Sequence, residues 1–119
     1  MNLGKFSLSL NVKDINKSLQ FYTNLGFIII DGGHQNEEFK DSETMKWRIL
    51  ENSSVKIGLF QGMFDQNILS FHPLDLMNIQ SLLKDSGVTF SKEAKQNDSM
   101  KSAIILDPDG NQIMFEEIG

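Results

Sequence analysis

Hydrophobic and polar residues follow two patterns along this chain. In residues 6–12, apolar side chains alternate with small polar ones, which is the period of a strand with one face on a core. Between Asp14 and Gly26 the apolar residues recur at helical spacing. The aspartate is typical of a helix N-cap, and the glycine is typical of a left-handed helix end. The apolar run 27–30 then opens a second strand.

A hairpin completes the first half of the chain. Residues 45–51 and 55–61 are rich in strand-forming side chains, and the short polar segment between them reads as a turn. The first half therefore has the predicted order β-α-β-β-β.

The second half repeats this order. Asp75 and Gly87 stand 61 residues after Asp14 and Gly26, and a helical pattern again fills the interval. The predicted helices are residues 14–25 and 75–86, and the predicted strands of this half are 68–73, 88–90, 101–106 and 112–118. We therefore predict an α+β fold with a single domain, 1–119. It contains two tandem β-α-β-β-β modules, at about 6–61 and 67–118.

Charge and composition narrow the choice of partner. The chain has 119 residues, a net charge of −5 and a pI near 4.9, which argues against nucleic acid or an anionic membrane. We therefore expect a small ligand that is neutral or cationic. The chain has no cysteine, and its N-terminus alternates where a signal peptide would be continuously apolar, so we expect a cytoplasmic protein.

Two motifs give the chain a family resemblance. The pattern LxVxDxxxSxxFYxxxLGF is matched with one residue fewer before Leu25, and the chain closes on DPDGN at residues 107–111. The matching residues are Leu10, Val12, Asp14, Ser18, Phe21, Tyr22, Leu25, Gly26 and Phe27. In these motifs the chain resembles the vicinal oxygen chelate superfamily of glyoxalases, bleomycin-resistance proteins and extradiol dioxygenases. The resemblance implies paired modules that curl into a curved sheet cleft, and a homodimer.

The DPDGN segment could also suggest a calcium loop. An EF-hand needs a longer acidic series with glycine at its sixth position, whereas Gly110 is the fourth residue of this segment. We therefore interpret residues 107–111 as a turn between two strands.

The resemblance also implies where a metal would be bound. Carried over by register, the four ligand positions of metal-dependent relatives fall on Ser7, Gly58, Ile68 and Met114. First-row divalent ions bind imidazole, carboxylate or thiolate, which these residues do not provide. We expect neither a metal nor another cofactor.

The alternation of the strands predicts which side chains line the cleft. They form a mixed apolar and polar surface, as small-molecule sites usually do. The predicted ligand-binding residues are Ser7, Ser9, Trp47, Phe60, Ile68, His72, Met114 and Glu116. For Trp47 a place in the core is an equal alternative. His72 and Glu116 could act as an acid–base pair, or could only make local and solvent contacts.

Two functions are compatible with these residues. The first is a metal-free binding protein of the bleomycin-resistance type, which holds a small amphipathic or cationic molecule in the cleft. The second is a lyase or dioxygenase-type enzyme of the same superfamily, either metal-dependent or using His72 and Glu116. The sequence contains no nucleophile motif or phosphate loop that would favour another class of enzyme.

Overall fold

The structure, a computed structural model, describes residues 1–117 and confirms the α+β class. The chain forms two compact units. The N-terminal unit is Ser7–Asn67, and the C-terminal unit combines Met1–Phe6 with the described residues from Ile68 onward. The modules predicted from the sequence did not include this placement of the first six residues with the second half.

The N-terminal unit has the predicted order of elements. Its elements are β1 (Lys5–Asn11), of which the first two residues belong to the C-terminal unit, α1 (Ile15–Asn24), β2 (Ile28–Gly32), β3 (Lys46–Asn52) and β4 (Val55–Gln61). The strands lie in the order β2-β3-β4-β1, with β1 parallel to β4 and the other neighbours antiparallel. The predicted hairpin is present, because β3 and β4 are joined by a two-residue turn.

The C-terminal unit repeats this arrangement. Its elements are β5 (Ile68–His72), α2 (Leu76–Asp85), β6 (Phe90–Lys92), β7 (Ser102–Leu106) and β8 (Gln112–Glu116). The order is β5-β8-β7-β6, and β5 is parallel to β8. The sixth strand begins at Phe90 where the sequence predicted Val88, and it includes Lys92, which was assigned to a loop. The predicted end of β8 at Ile118 lies outside the described residues.

Both helices begin and end at the residues that the sequence indicated. Asp14 accepts hydrogen bonds from the amides of Asn16 and Lys17, and Asp75 accepts one from the amide of Asn78. The backbone then turns at Gly26 and Gly87, whose φ angles are +99° and +92°. Only glycine adopts this conformation without strain, which explains why each helix stops there.

A side chain at the end of a strand also caps the N-terminus of each helix, which the sequence did not predict. In the N-terminal unit the amide of Ile15 donates to Gln61 Oε1 at 2.9 Å. In the C-terminal unit the amide of Leu76 donates to Glu117 Oε1 at 3.0 Å. Gln61 ends β4 and Glu117 directly follows β8, so the duplicated halves use matching positions for the same purpose.

Each unit packs its helix on one face of its sheet and so builds its own core. In the N-terminal unit the buried residues are Ile15, Leu50, Ile57 and Leu59. In the C-terminal unit the core cluster consists of Leu76, Ala94, Ala103 and Phe115, and Ile68 and Ile79 are buried as well. The opposite face of each sheet carries the candidate site residues. Phe6 was predicted on the core face, but it is 48% exposed and its ring lies 5.3 Å from that of Phe71 in the C-terminal unit.

Candidate functional site

Three aromatic side chains cluster on the helix-free side of the N-terminal unit. Trp47 on β3 lies directly across from Phe60 on β4. Their ring planes are within 6° of parallel with centroids 6.4 Å apart, and the ring of Phe64 lies 5.1 Å from that of Phe60. All three residues are half-buried and keep some contact with solvent. We call Trp47, Phe60 and Phe64 the aromatic shelf.

Trp47 is held in place by the loop between β2 and β3. Its indole Nε1 donates to the carbonyl of Phe39 at 2.8 Å, and its backbone amide donates to Asp41 Oδ1 at 3.2 Å. The second carboxylate oxygen of Asp41 accepts from the Arg48 guanidinium at 2.8 Å. Both side chains of this ion pair are mostly buried, at 14% and 20% exposure. The loop and the tryptophan are therefore ordered together.

Sequence reasoning missed Asp41 and Arg48. One signal was available, since Arg48 is the only arginine of the chain and directly follows the only tryptophan. A planar guanidinium can bind a carboxylate and a backbone carbonyl together, and here it also donates to the carbonyl of Trp47 at 2.6 Å. Its carboxylate partner could not be chosen from the sequence, because the loop carries several acids.

Two of the ligand positions that the family resemblance implies, Ser7 and Gly58, lie in the same unit. A Cβ atom at Gly58 would overlap the ring of Phe60 and would lie 3.3 Å from the side chain of Ile49. Ser7 and Ser9 are buried, at 7% and 4% exposure. The space that a ligand side chain would need at Gly58 is thus taken by an aromatic ring.

The helix-free side of the C-terminal unit carries the candidate acid–base pair. His72 Nδ1 lies 3.9 Å from Glu116 Oε1, and the two side chains are 26% and 40% exposed. This distance allows an ion pair when the imidazole is protonated, but it is too long for a direct hydrogen bond. Met114 on β8 is half-buried, whereas Ile68 on β5 is buried.

Two further polar residues extend this group across the sheet. Ser102 on β7 lies directly across from Glu116, and Lys92 Nζ on β6 donates to Ser102 Oγ at 2.7 Å. The alternation of β7 places Ser102 on this face, but the sequence analysis did not select it. Lys92 was missed because the predicted strand ended at Phe90, two residues too early.

The residues at the implied ligand positions do not fit a divalent metal. Ser7 and Gly58 in the N-terminal unit, and Ile68 and Met114 in the C-terminal unit, provide one hydroxyl and one thioether. Neither group is a donor that first-row divalent ions prefer. Within residues 1–117, no three His, Cys, Asp or Glu side chains lie close enough together to hold an ion.

The turn at residues 107–111 uses its acidic side chain internally. Asp107 accepts hydrogen bonds from the Asn111 side chain and from the amides of Asn111 and Asp109, at 2.8 to 2.9 Å. The hydrogen bond from the Asn111 side chain is the main cause that lowers the pKa of Asp107 below its ordinary value. This geometry confirms the turn interpretation of the DPDGN segment.

The structure therefore gathers the predicted site residues into two groups. Trp47 contacts Phe60 in the N-terminal unit, and His72 faces Glu116 in the C-terminal unit. Ser7, Ser9 and Ile68 are largely withdrawn from solvent, and their role as ligand contacts stays a prediction.

The duplicated β-α-β-β-β order, with a helix-free sheet face in each half, defines a paired-module fold. The sequence profile of the Glyoxalase/Bleomycin resistance protein/Dioxygenase superfamily matches residues 6–115, and the chain belongs to that superfamily. No curated protein sequence matches the chain. Within residues 1–117, neither helix is long and apolar enough to span a membrane.

Solved structures show the same fold at low sequence identity. A superfamily member from Vibrio splendidus aligns with a TM-score of 0.67 and 18% identity, covering 96% of this chain and 98% of that one. Methylmalonyl-CoA epimerase from Mycobacterium tuberculosis gives 0.67 and 16%, covering 97% and 88%. The 2,3-dioxygenase LapB from a Pseudomonas species gives 0.59 and 16%, covering 95% of this chain but 41% of that enzyme. These similarities concern the fold alone.

Proposed function

We propose that this protein binds a small amphipathic or cationic molecule on the aromatic shelf, without a metal. The observation that carries the proposal is the parallel pair of Trp47 and Phe60, partly exposed on a sheet face whose implied ligand positions offer no suitable metal donors. Aromatic faces bind planar apolar groups by stacking and bind cations through the ring quadrupole. The net charge of −5 further favours a cation over an anion.

Apolar burial on the shelf supplies part of the binding free energy that a useful affinity needs. A ligand that covers about 150 Å² of apolar surface gains on the order of 4 kcal/mol before the costs of association are subtracted. Cation–π contact adds about 0.5–2 kcal/mol where the ring is partly desolvated. Electrostatic attraction and hydrogen bonds from the shelf rim must supply the rest of a micromolar affinity.

The test uses Trp47 as its own probe, because it is the only tryptophan. A set of aromatic, cationic and antibiotic-like compounds is screened by thermal shift, and each hit is titrated while indole fluorescence is recorded. We expect binding to change the emission of Trp47, and Phe60→Leu to weaken binding at least fivefold.

Phe21→Leu is the matched control, because Phe21 is an exposed phenylalanine on α1 and lies outside the shelf. If hits stabilise the protein without changing Trp47 emission, or if both variants bind equally well, the shelf is not the ligand site.

The absence of a metal is tested separately. We expect protein purified without chelators to retain no stoichiometric zinc, nickel, iron or manganese, and added ions to leave the melting temperature unchanged. Elemental analysis and thermal shift give the two readouts. A retained ion at one equivalent per chain would contradict the proposal.

An enzymatic function on the C-terminal unit is the second candidate. It is favoured by one observation, the 3.9 Å approach of His72 to Glu116 on a partly exposed face. Such a pair can move a proton to and from a bound substrate once a ligand brings the groups into hydrogen-bond contact. The reaction class would be proton abstraction or lyase chemistry that needs no metal.

A substrate analogue found in the screen would separate the two candidates. Turnover that is lost in both His72→Gln and Glu116→Gln, with binding retained, would support the enzyme. Unchanged ligand after prolonged incubation with wild-type protein would favour simple binding. The homodimer, the cytoplasmic location and the exclusion of nucleic acid stay predictions from the sequence.

A further inference from the structure

The apolar run that opens β2 lies at an outer edge of the sheet and not in its interior. Within residues 1–117, β2 pairs with β3 and has no strand on its other side. Ile28, Ile29 and Ile30 are 68%, 38% and 41% exposed. An uninterrupted apolar run is typical of a strand that is covered on both faces and has neighbours on both sides. The sequence of β2 is thus that of an inner strand, and its position is that of an edge strand.

The exposed apolar surface continues beyond the strand. Leu25, at the end of α1, accepts a hydrogen bond through its carbonyl from Asn52, and Asn52 is the cross-strand partner of Val55. Phe21 lies one helical turn before Leu25. We call the resulting surface the β2 patch. It consists of Phe21, Leu25, Ile28, Ile29, Ile30 and Val55, each between about two fifths and two thirds exposed.

The edge strand of the C-terminal unit is built differently. Strand β6 is only three residues long, it ends on Lys92, and its register with β7 is irregular. Short length, lysine and irregular pairing are the usual means by which proteins prevent edge strands from pairing with other chains. By comparison β2 carries three isoleucines and no lysine, and a single bulge between Ile29 and Asp31 is its main irregularity.

We propose that a second copy of this chain adds its own β2 to this edge, in an antiparallel pair about a two-fold axis. Such an interface is self-complementary, because each copy presents the same strand and the same patch. With the axis at Ile29 or Ile30, Asp31 faces Phe27 or Ile29 of the other copy, so the two carboxylates do not oppose each other. This inference does not depend on the ligand proposed for the aromatic shelf.

The surface available matches what a dimer needs. The six side chains of the β2 patch together present on the order of 500 Å² of apolar surface. A two-fold pairing covers it on both copies, on the order of 1,000 Å², which is the lower limit of a specific interface. The unpaired backbone groups of β2 add hydrogen bonds that a flat apolar contact would lack.

The first experiment is sedimentation velocity over a range of micromolar concentrations. We expect wild-type protein to dimerise, and Ile28→Lys/Ile30→Lys to weaken the association at least tenfold, because two lysines on an edge strand oppose pairing. The matched control is Leu82→Lys, at an exposed leucine of α2. If wild-type protein sediments as a monomer at every concentration, the proposal is overturned. The partner of this edge would then be a different protein. The proposal is also overturned if Ile28→Lys/Ile30→Lys and Leu82→Lys dimerise with the same affinity.

Cross-linking tests the geometry without relying on destabilising variants. The chain has no cysteine, so one introduced cysteine reports only its own approach to a second copy. Of Ile29→Cys and Ile30→Cys, the one on the two-fold axis should form a disulfide-linked dimer under mild oxidation, because only the residue on the axis lies opposite itself. Leu82→Cys should not. Equal cross-linking of Leu82→Cys and the β2 variants, or cross-linking of Leu82→Cys alone, would contradict pairing through β2.

Discussion

At the scale of single residues, side chains that sequence patterns did not single out hold the candidate site in place. Asp41 joins three groups at once, since it binds the Trp47 amide, the Arg48 guanidinium and, through its own amide, the carbonyl of Gly33. A mostly buried carboxylate with charged and backbone partners contributes more than an exposed one, because its partners are left unsatisfied when it is removed.

Removal of Asp41 should therefore destabilise the protein and release Trp47. We expect Asp41→Ala to lower the free energy of unfolding by about 1–3 kcal/mol and to shift the tryptophan emission toward that of an exposed indole. Urea titration followed by fluorescence measures both quantities.

The control for Asp41 is Glu37→Ala in the same loop. Glu37 pairs with Lys40 at 3.7 Å, but both side chains are largely exposed, so the loss should stay within about 0.5 kcal/mol. Equal effects of the two variants would show that Asp41 does not anchor the loop.

A second prediction at this scale concerns Asp107 and pH. The hydrogen bonds from Asn111 hold its pKa below the ordinary value in the folded chain, so the unfolded chain takes up this proton more readily. The contribution to stability is therefore complete above the unfolded pKa and is lost as pH falls through the folded pKa. Asp107→Asn should be less stable than wild type at neutral pH, and the difference should shrink between about pH 5 and pH 2.

Unfolding of wild type and variant is compared by urea titration at each pH. Asp109→Asn is the control, because in the described part of the turn the Asp109 carboxylate accepts none of these hydrogen bonds. A pH dependence shared by both variants would assign the effect to overall charge.

At the scale of secondary-structure elements, the two halves share a device that fastens helix to sheet. Gln61 and Glu117, at the ends of matching strands, each accept the first helical amide of their unit. Both amides belong to buried residues, Ile15 and Leu76, where water is a poor substitute partner. The caps on Asp14 and Asp75 satisfy other amides of the same first turn, so the two contacts do not replace each other.

This device can be tested by retaining or removing the acceptor. Gln61→Ala should cost about 1–3 kcal/mol, because it leaves the Ile15 amide without its partner. Gln61→Glu retains an acceptor and places a negative charge at a helix N-terminus, so its effect should stay within about 1 kcal/mol. Urea unfolding gives the energies, and hydrogen exchange at the Ile15 amide localises the change. If the glutamate variant is as unstable as the alanine variant, the side chain acts through packing and not through this hydrogen bond.

At the scale of the whole molecule, the acidic charge should influence which ligands reach the site. With a net charge of −5, long-range attraction favours cations and is screened by salt. For a cationic ligand of the aromatic shelf, we expect affinity to fall severalfold between low and physiological ionic strength. A neutral analogue of the same shape should be almost unaffected.

Titration of Trp47 fluorescence at two salt concentrations measures this difference. If the affinities of the cation and its neutral analogue depend equally on salt, net charge does not explain the selectivity. Stacking on the aromatic shelf would then be its basis.

Local signals in the sequence were enough to predict both helices, most strands and the family resemblance of this protein. Helix caps, terminal glycines and strand alternation are local signals, because they depend on contacts between residues a few positions apart. They located both helices to within one residue at each end, and they established the duplication. The parity of each strand also placed His72 and Glu116 on one predicted face, whereas for Trp47 the sequence left the core as an equal alternative.

The contacts and the burial of the side chains on these faces depend on the tertiary structure. Alternation gives the side of a strand on which a residue lies, but not the neighbouring strand or the depth of burial. It therefore could not show that Phe60 covers Gly58, that Asp41 selects Arg48, or that Ser9 is more buried than many leucines. Nor could it show that the run of isoleucines in β2 lies at an open edge. These properties depend on contacts between residues distant in the chain, which no local pattern records.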